Sequence, residues 1–148
     1  MERTIFEDEH EQFRASFRRW VDAEIVPHYL DWEKDGIVPR EGFAKAGEHG
    51  FLGMSIPEEY SLVIGEEVQA AGVGSSGLGI TLHNDICLPY FLAYCTDEQK
   101  ARWLPGIASG ELITAIAMTE PGIGSDLASM STSAIKDGDH YVVNGSKT

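Results

Sequence analysis

Cysteine is scarce here: Cys87 and Cys95 are the only two in 148 residues. Their spacing matches no metal-ligand or redox motif, so both are expected as buried free thiols in a reducing, cytoplasmic compartment. Basic charge is scarce as well, with 11 Lys and Arg against 24 Asp and Glu and a formal net charge of −13. A surface of that sign repels a phosphate backbone and excludes general nucleic-acid binding. An anionic nucleotide cofactor held by local backbone donors is still allowed. No apolar run is long enough to span a bilayer, so no membrane partner is expected. The opening residues MERTIFEDEHEQF lack the apolar core of a secretory signal and are too acidic for a transit peptide. His10, His28, His49 and His140 share no ligand spacing, so no metal site is expected. Internal repeats and low-complexity tracts are missing too.

What is present suffices for a core. The chain is 43% hydrophobic, and its 3 Trp, 5 Tyr and 6 Phe are spread along its length. Phe6, Phe13, Phe17, Trp20, Val21 and Ile25 recur at three- and four-residue steps, which predicts an amphipathic helix from about Asp8 to about Trp32. Pro27 is expected to bend it or end its first section. A second helix is predicted from Arg40 to His49, stopped by Gly50. The phrase FLGMSIPEEY reads as a loop with a short extended piece, and Leu62–Ala71 as helix. The run GVGSSGLG reads as a break between helices. Ile80–Tyr94 is long and apolar enough for a buried helix, kinked at Pro89. Thr96, Asp97, Glu98 and Gln99 spell a capping box that opens a further helix, whose end Pro105 should tighten.

Around Leu112 the character changes. LITAIAMT is β-branched and apolar, as in a buried strand. MSTSAIKDGDHYVVNGSK reads as two strands around the turn Asp137-Gly138-Asp139. The expected fold class is therefore mostly α: an amino-terminal helical bundle followed by the first strands of an antiparallel β domain. A sheet so incomplete leaves an unpaired edge, for which truncation is the simplest account.

Two Gly-rich stretches bear on function. Gly72, Gly74 and Gly77 spell GxGxxG, but the dinucleotide motif needs a strand before it, and these residues follow an expected helix. A nicotinamide-binding module would also require alternating strands and helices. The second stretch, Thr119-Glu120-Pro121-Gly122-Ile123-Gly124-Ser125-Asp126, follows the expected strand. Pro121 fixes a turn, while Gly122 and Gly124 permit backbone conformations closed to other residues. Such a loop can aim successive amides at an anion or a polar ring edge, and Thr119 and Ser125 add hydroxyls. From the residues alone, a ligand loop and a plain connection between strands fit equally well. His83, within LHNDI, suits either a buried hydrogen-bonded histidine, the commoner case, or the wall of a cleft.

The run AIAMTEPGIGSDLAS is similar to a signature segment of the acyl-CoA dehydrogenase family. EIVPHYLDWEKDGIVPRE, KAGEHGFLGMSIPEEY, LHNDI, DEQKARWLPGIASGE and YVVNGSKT resemble the same family in its order, with a lean towards its long-chain type. The resemblance implies an amino-terminal helical domain over 1–111 and the beginning of the middle β domain over 112–148. It implies FAD as cofactor, an acyl-CoA substrate in fatty acid metabolism, α,β-desaturation to a trans-2-enoyl-CoA, an electron-transfer flavoprotein as acceptor and a homotetramer. The flavin contacts it carries over fall on Ile116, Ala117, Met118, Thr119, Glu120, Pro121, Gly122, Ile123, Gly124 and Ser125. The Thr119 hydroxyl would lie near flavin N5, and Ser125 would reach a phosphate or the acyl-CoA. The family's catalytic base is a glutamate in a carboxy-terminal bundle. No residue here matches it, so no catalytic residue is assigned and the chain alone is expected to be inactive. The alternative implied is a truncated, non-catalytic member acting as a binding or assembly subunit. The sequence departs from the pattern at Ile123, where a small residue is usual. It departs again after Tyr60, where a Gly-rich loop is usual: that loop is either lost, or omitted from the sequence so that the helix near Leu62 follows a longer linker.

Overall fold

The structure, a computed structural model, describes residues 4–54 and 58–148. The chain forms two compact units, Met1–Ala115 and Ile116–Thr148. In the first unit the apolar stripe becomes α1, Asp8–Glu24, which ends ahead of Pro27; a second helix, α2, Tyr29–Asp35, follows the turn. The residue before a proline disfavours helical backbone, which places the break. Helix α3, Arg40–Glu48, starts beside Pro39, and the chain leaves it through Gly50 at φ +74°. Phe51–Met54 is irregular, as the loop expected over FLGMSIPEEY requires, and Ser55–Pro57 lie outside the described residues.

Helix α4 spans Glu58–Ala70 and so starts earlier than Leu62. Tyr60, Ser61, Leu62 and Val63 lie in one continuous helix, with no linker between Tyr60 and Leu62. The glycine run is a second correction. Gly74–Thr81 is helix α5, not a break. Packing overrides propensity there: a Cβ on Gly79 would lie 2.9 Å from Cζ of Phe43, so a side chain at that position would push the helix off the core. A helix on both sides of Val73 also removes the strand that the dinucleotide motif needs.

Helix α5 runs straight into a wider π-helical segment, Leu82–Cys87, and then into α6, Leu88–Tyr94. Pro89 sits in the first turn of α6 and is tolerated where the winding changes. Helix α7, Asp97–Ser109, opens with the expected capping box: Gln99 N donates to Thr96 Oγ1 at 3.3 Å, and Thr96 N donates to Gln99 Oε1 at 2.9 Å. Pro105 does not end this helix but lies inside it. Pro105 and Ala101 are both exposed, so the carbonyl that loses its donor faces water.

The core gathers Phe17, Trp20, Val21 and Ile25 with Phe43, Ala46, Phe51, Leu52, Ile64, Val68, Val73 and Ile80. Phe51 meets Phe17 edge to face, with ring centroids 4.9 Å apart. Cys87 is buried and Cys95 only half-buried; both are free. A polar tie joins α1 to α4: Arg14 and Arg18 both bind Glu67, and Arg14 also binds Glu66. Burial alone would raise the Glu67 carboxyl, but the hydrogen bonds from Arg18 and Arg14 outweigh it and hold it below its ordinary value.

The second unit carries little regular structure. Leu112–Thr119, expected as a strand, forms no ladder among the described residues and is irregular, because a strand exists only against a partner. A short 3-10 turn, Leu127–Ser129, precedes the antiparallel hairpin β1, Ser133–Asp137, and β2, His140–Asn144. Its two-residue connection has Gly138 at φ +63° and Asp139 at negative φ, the pattern of a II′ turn.

Candidate functional site

The ten residues Ile116–Ser125 form one surface strap of the second unit. Ala117, Thr119, Pro121, Gly122, Gly124 and Ser125 are exposed, Ile116, Met118 and Ile123 half-buried, and Glu120 buried. Glu120 and Ile123 exchange backbone hydrogen bonds of 3.2 and 3.1 Å across Pro121-Gly122, closing a tight turn. Pro121 presets its first corner. Gly122 and Gly124 do not take positive φ, contrary to the expectation, and a Cβ on either would meet nothing within 4 Å. Their contribution is open space above the backbone rather than a special conformation. Ile123 fits the turn through its backbone.

The amides of Ala117, Met118 and Thr119 meet no acceptor among the described residues. The carbonyls of Met118 and Thr119, by contrast, are engaged: Lys147 Nζ donates to Met118 O at 3.1 Å, and Thr148 N donates to Thr119 O at 3.0 Å. The strap thus offers donors, including the Thr119 and Ser125 hydroxyls, while the carbonyls of Met118 and Thr119 are bound from within.

Glu120 does not share that outward role. Its carboxylate accepts from Ser131 N at 2.8 Å, Ser131 Oγ at 2.6 Å, Thr132 N at 2.9 Å and Lys147 Nζ at 3.0 Å. Hydrogen bonds from Ser131 and Thr132 hold this carboxyl far below the usual carboxylate range. Sequence reasoning missed Ser131, Thr132 and Lys147. The only available signal was an acid set in an otherwise apolar and small-residue run.

In the helical unit the LHNDI block is structural. His83 is fully buried, with Nε2 2.9 Å from Ile107 O and Nδ1 2.9 Å from Thr114 Oγ1. Burial pushes its pKa down, so the ring is neutral and bridges α7 to the segment that leaves it. Asn84 ties the same turn to Phe51 O at 2.8 Å and Gly53 N at 2.9 Å. Asp85 lines a broad groove of about 1370 Å³ with Arg14, Ser61, Glu66 and Pro89, and burial raises its carboxyl. A second groove, about 490 Å³, runs between Phe91, Trp103 and Ile107 and the segment Leu112–Ala115. Its lining is apolar apart from Thr114 and holds no acid or base. Among the described residues no group of three or more His, Cys, Asp or Glu is placed to hold a metal, and no helix is long and apolar enough to cross a membrane.

Residues 7–111 match the family described as acyl-CoA dehydrogenase, N-terminal domain. The long-chain specific acyl-CoA dehydrogenase of Sus scrofa mitochondria is 43% identical over 152 aligned positions, which cover 98% of this chain and 35% of that protein. The crystal structure of an acyl-CoA dehydrogenase from Geobacillus kaustophilus superposes with a TM-score of 0.92 at 54% identity, covering 99% of this chain and 40% of that one. An acyl-CoA dehydrogenase from Bacillus anthracis, solved in complex with FAD, superposes at 0.84 with 28% identity, covering 99% of this chain and 27% of that one. The chain therefore spans between about a quarter and two fifths of the length of these relatives.

Proposed function

Because the chain belongs to the acyl-CoA dehydrogenase family, we propose that it supplies the amino-terminal helical domain, 1–111, and the opening of the β domain, 112–148, of a flavoenzyme. That enzyme would oxidise acyl-CoA thioesters to trans-2-enoyl-CoA. The observation that carries the reading is the strap: amides at Ala117, Met118 and Thr119 that meet no acceptor among the described residues, with the carbonyls of Met118 and Thr119 already bound.

FAD fits this donor set. An isoalloxazine edge is rich in acceptors, and the strap presents N–H and O–H groups with open space over Gly122 and Gly124. Ile116–Thr119 and the Thr119 hydroxyl would hold the ring, the turn Glu120–Gly124 would shape the border of the site, and Ser125 would reach a phosphate or the acyl-CoA. FAD, when bound, supplies the acceptor for the β hydrogen as hydride. The chain's part is to aim fixed dipoles at that acceptor before reaction, so that no reorganisation is needed when charge arrives. No base is assigned to this chain; removal of the α proton belongs to a carboxylate outside these residues.

The same proposal includes an electron-transfer flavoprotein as acceptor, homotetrameric assembly and a cytoplasmic setting. Free Cys87 and Cys95 support the reducing compartment. The resemblance to a long-chain relative supports long acyl chains as substrates.

The test is the visible spectrum of the complete enzyme before and after acyl-CoA thioesters of graded length. A flavin spectrum that bleaches with long chains supports the reading; a colourless protein, or one that no acyl-CoA bleaches, overturns it. In Thr119→Ala, flavin reduction should slow on the order of tenfold to a hundredfold, with cofactor retention affected less. An unchanged rate removes Thr119 from its assigned role.

A further inference from the structure

Glu120 falls within the strap, yet its carboxylate has no capacity left for a ligand. An ionised carboxylate offers about four acceptor directions. Ser131 N and Ser131 Oγ occupy Oε2, and Thr132 N and Lys147 Nζ occupy Oε1. The side chain is 4% exposed, and that of Lys147 27% exposed. Lys147 spends a second donor on Met118 O, and the next residue, Thr148, donates its amide to Thr119 O.

These contacts share a layout. Ser131 and Thr132 lie just before β1, and Lys147 and Thr148 just after β2. The two flanks of the hairpin therefore close on one carboxylate, and the strap residues Met118, Thr119 and Glu120 lie within that closure.

We propose that Glu120 and Lys147 are a positioning pair: an ion pair that clasps both flanks of the hairpin and sets the backbone of Met118 and Thr119 for the flavin. The inference rests on the flavin reading of the strap. It assigns Glu120 and Lys147 no contact with the cofactor; they act through the backbone they hold. Charge is essential to the clasp. A neutral amide at 120 would set an NH2 group against the donors of Ser131 or Thr132. An uncharged side chain at 147 would leave the carboxylate buried without its counter-charge.

The experiment uses the complete enzyme and begins with the flavin content of the unmodified protein, since absence of flavin there overturns the functional reading itself. Lys147→Met keeps the apolar stem and removes the charge; Lys147→Arg keeps the charge. Three quantities are read: the FAD dissociation constant of the apoprotein, the visible circular dichroism of the bound flavin, and amide hydrogen exchange at Thr132 and Thr148 in the apoprotein. The proposal expects Lys147→Met to weaken FAD at least tenfold, alter the flavin dichroism and speed exchange at both amides. Lys147→Arg, which keeps the charge on a differently shaped group, should lie closer to the native protein than Lys147→Met in all three, and Glu120→Gln should fail in the same direction as Lys147→Met. Unchanged exchange in Lys147→Met overturns the clasp, whatever the flavin content. Faster exchange with unaltered FAD affinity and dichroism overturns its positioning role. A Lys147→Arg variant no better than Lys147→Met in all three overturns charge as the requirement and leaves the shape of the ammonium group as what the site needs.

Discussion

A buried imidazole and a buried carboxylate handle their protons in opposite ways here. Glu120 keeps its charge because four donors converge on it, whereas His83 loses its charge because burial favours the neutral ring. The folded value of His83 lies below the unfolded one near 6.5. At pH below about 6.5 the unfolded chain takes up a proton that the folded chain refuses, so stability falls as pH drops towards the depressed folded value. The groups facing the ring are Ile107 O, Thr114 and the ring of Phe43, none of them charged. Urea midpoints measured from about pH 7.5 to 5 should fall more steeply for the native chain than for His83→Gln, which should be less stable at the top of that range; parallel curves would contradict this. The sequence made a buried, hydrogen-bonded His83 readable as the commoner case, and that is what is found. The inward turn of Glu120 was not readable. Its partner Lys147 lies far along the chain, and no local pattern marks a pair whose members are brought together only by the hairpin between them.

At the scale of elements, starts and stops were legible where a side chain acts on its own helix end. The Thr96–Gln99 box and the proline-limited end of α1 are set within a few residues, and local chemistry decides them. The glycine run was misleading because Gly79 lies against Phe43 with no room for a side chain, a contact distant in sequence. The strand expected at Leu112–Thr119 failed for the complementary reason: its composition suits a sheet, but no partner lies among the described residues. The closest approach of α3 and α7 depends on two glycines. A Cβ at Gly47 would sit 2.1 Å from Ser109 O, and one at Gly110, where φ is +77°, would sit 2.3 Å from Phe43 O. Both would meet backbone, which cannot swing aside. Gly110→Ala should therefore cost about 2–4 kcal/mol in chemical denaturation, combining left-handed strain with overpacking. A loss below about 1 kcal/mol, the ordinary scale of a helix-end change, would mean the two helices can separate freely.

For the whole molecule, the apolar core lies in one unit: every residue of the buried cluster falls before Ala115. In the second unit all ten hairpin residues are exposed, including Ile135, Tyr141 and Val143. A lone hairpin is marginal in water, so these 148 residues by themselves should bind FAD weakly or not at all. Equilibrium dialysis that returned tight, stoichiometric FAD would show the strap to be sufficient as a site. The helical unit also absorbs an extra residue in Leu82–Cys87, where His83, Asn84 and Cys87 are all buried by the wide winding. A wide turn takes up about one residue more than an α turn does, so dropping one residue there would restore ordinary α pitch and leave Leu88–Tyr94 facing nearly as before. Leu88 would keep its place in the interior. A relative shorter by one residue at this point would carry an α6 that faces the same way, and an alignment gap set anywhere else would pair buried side chains with exposed ones.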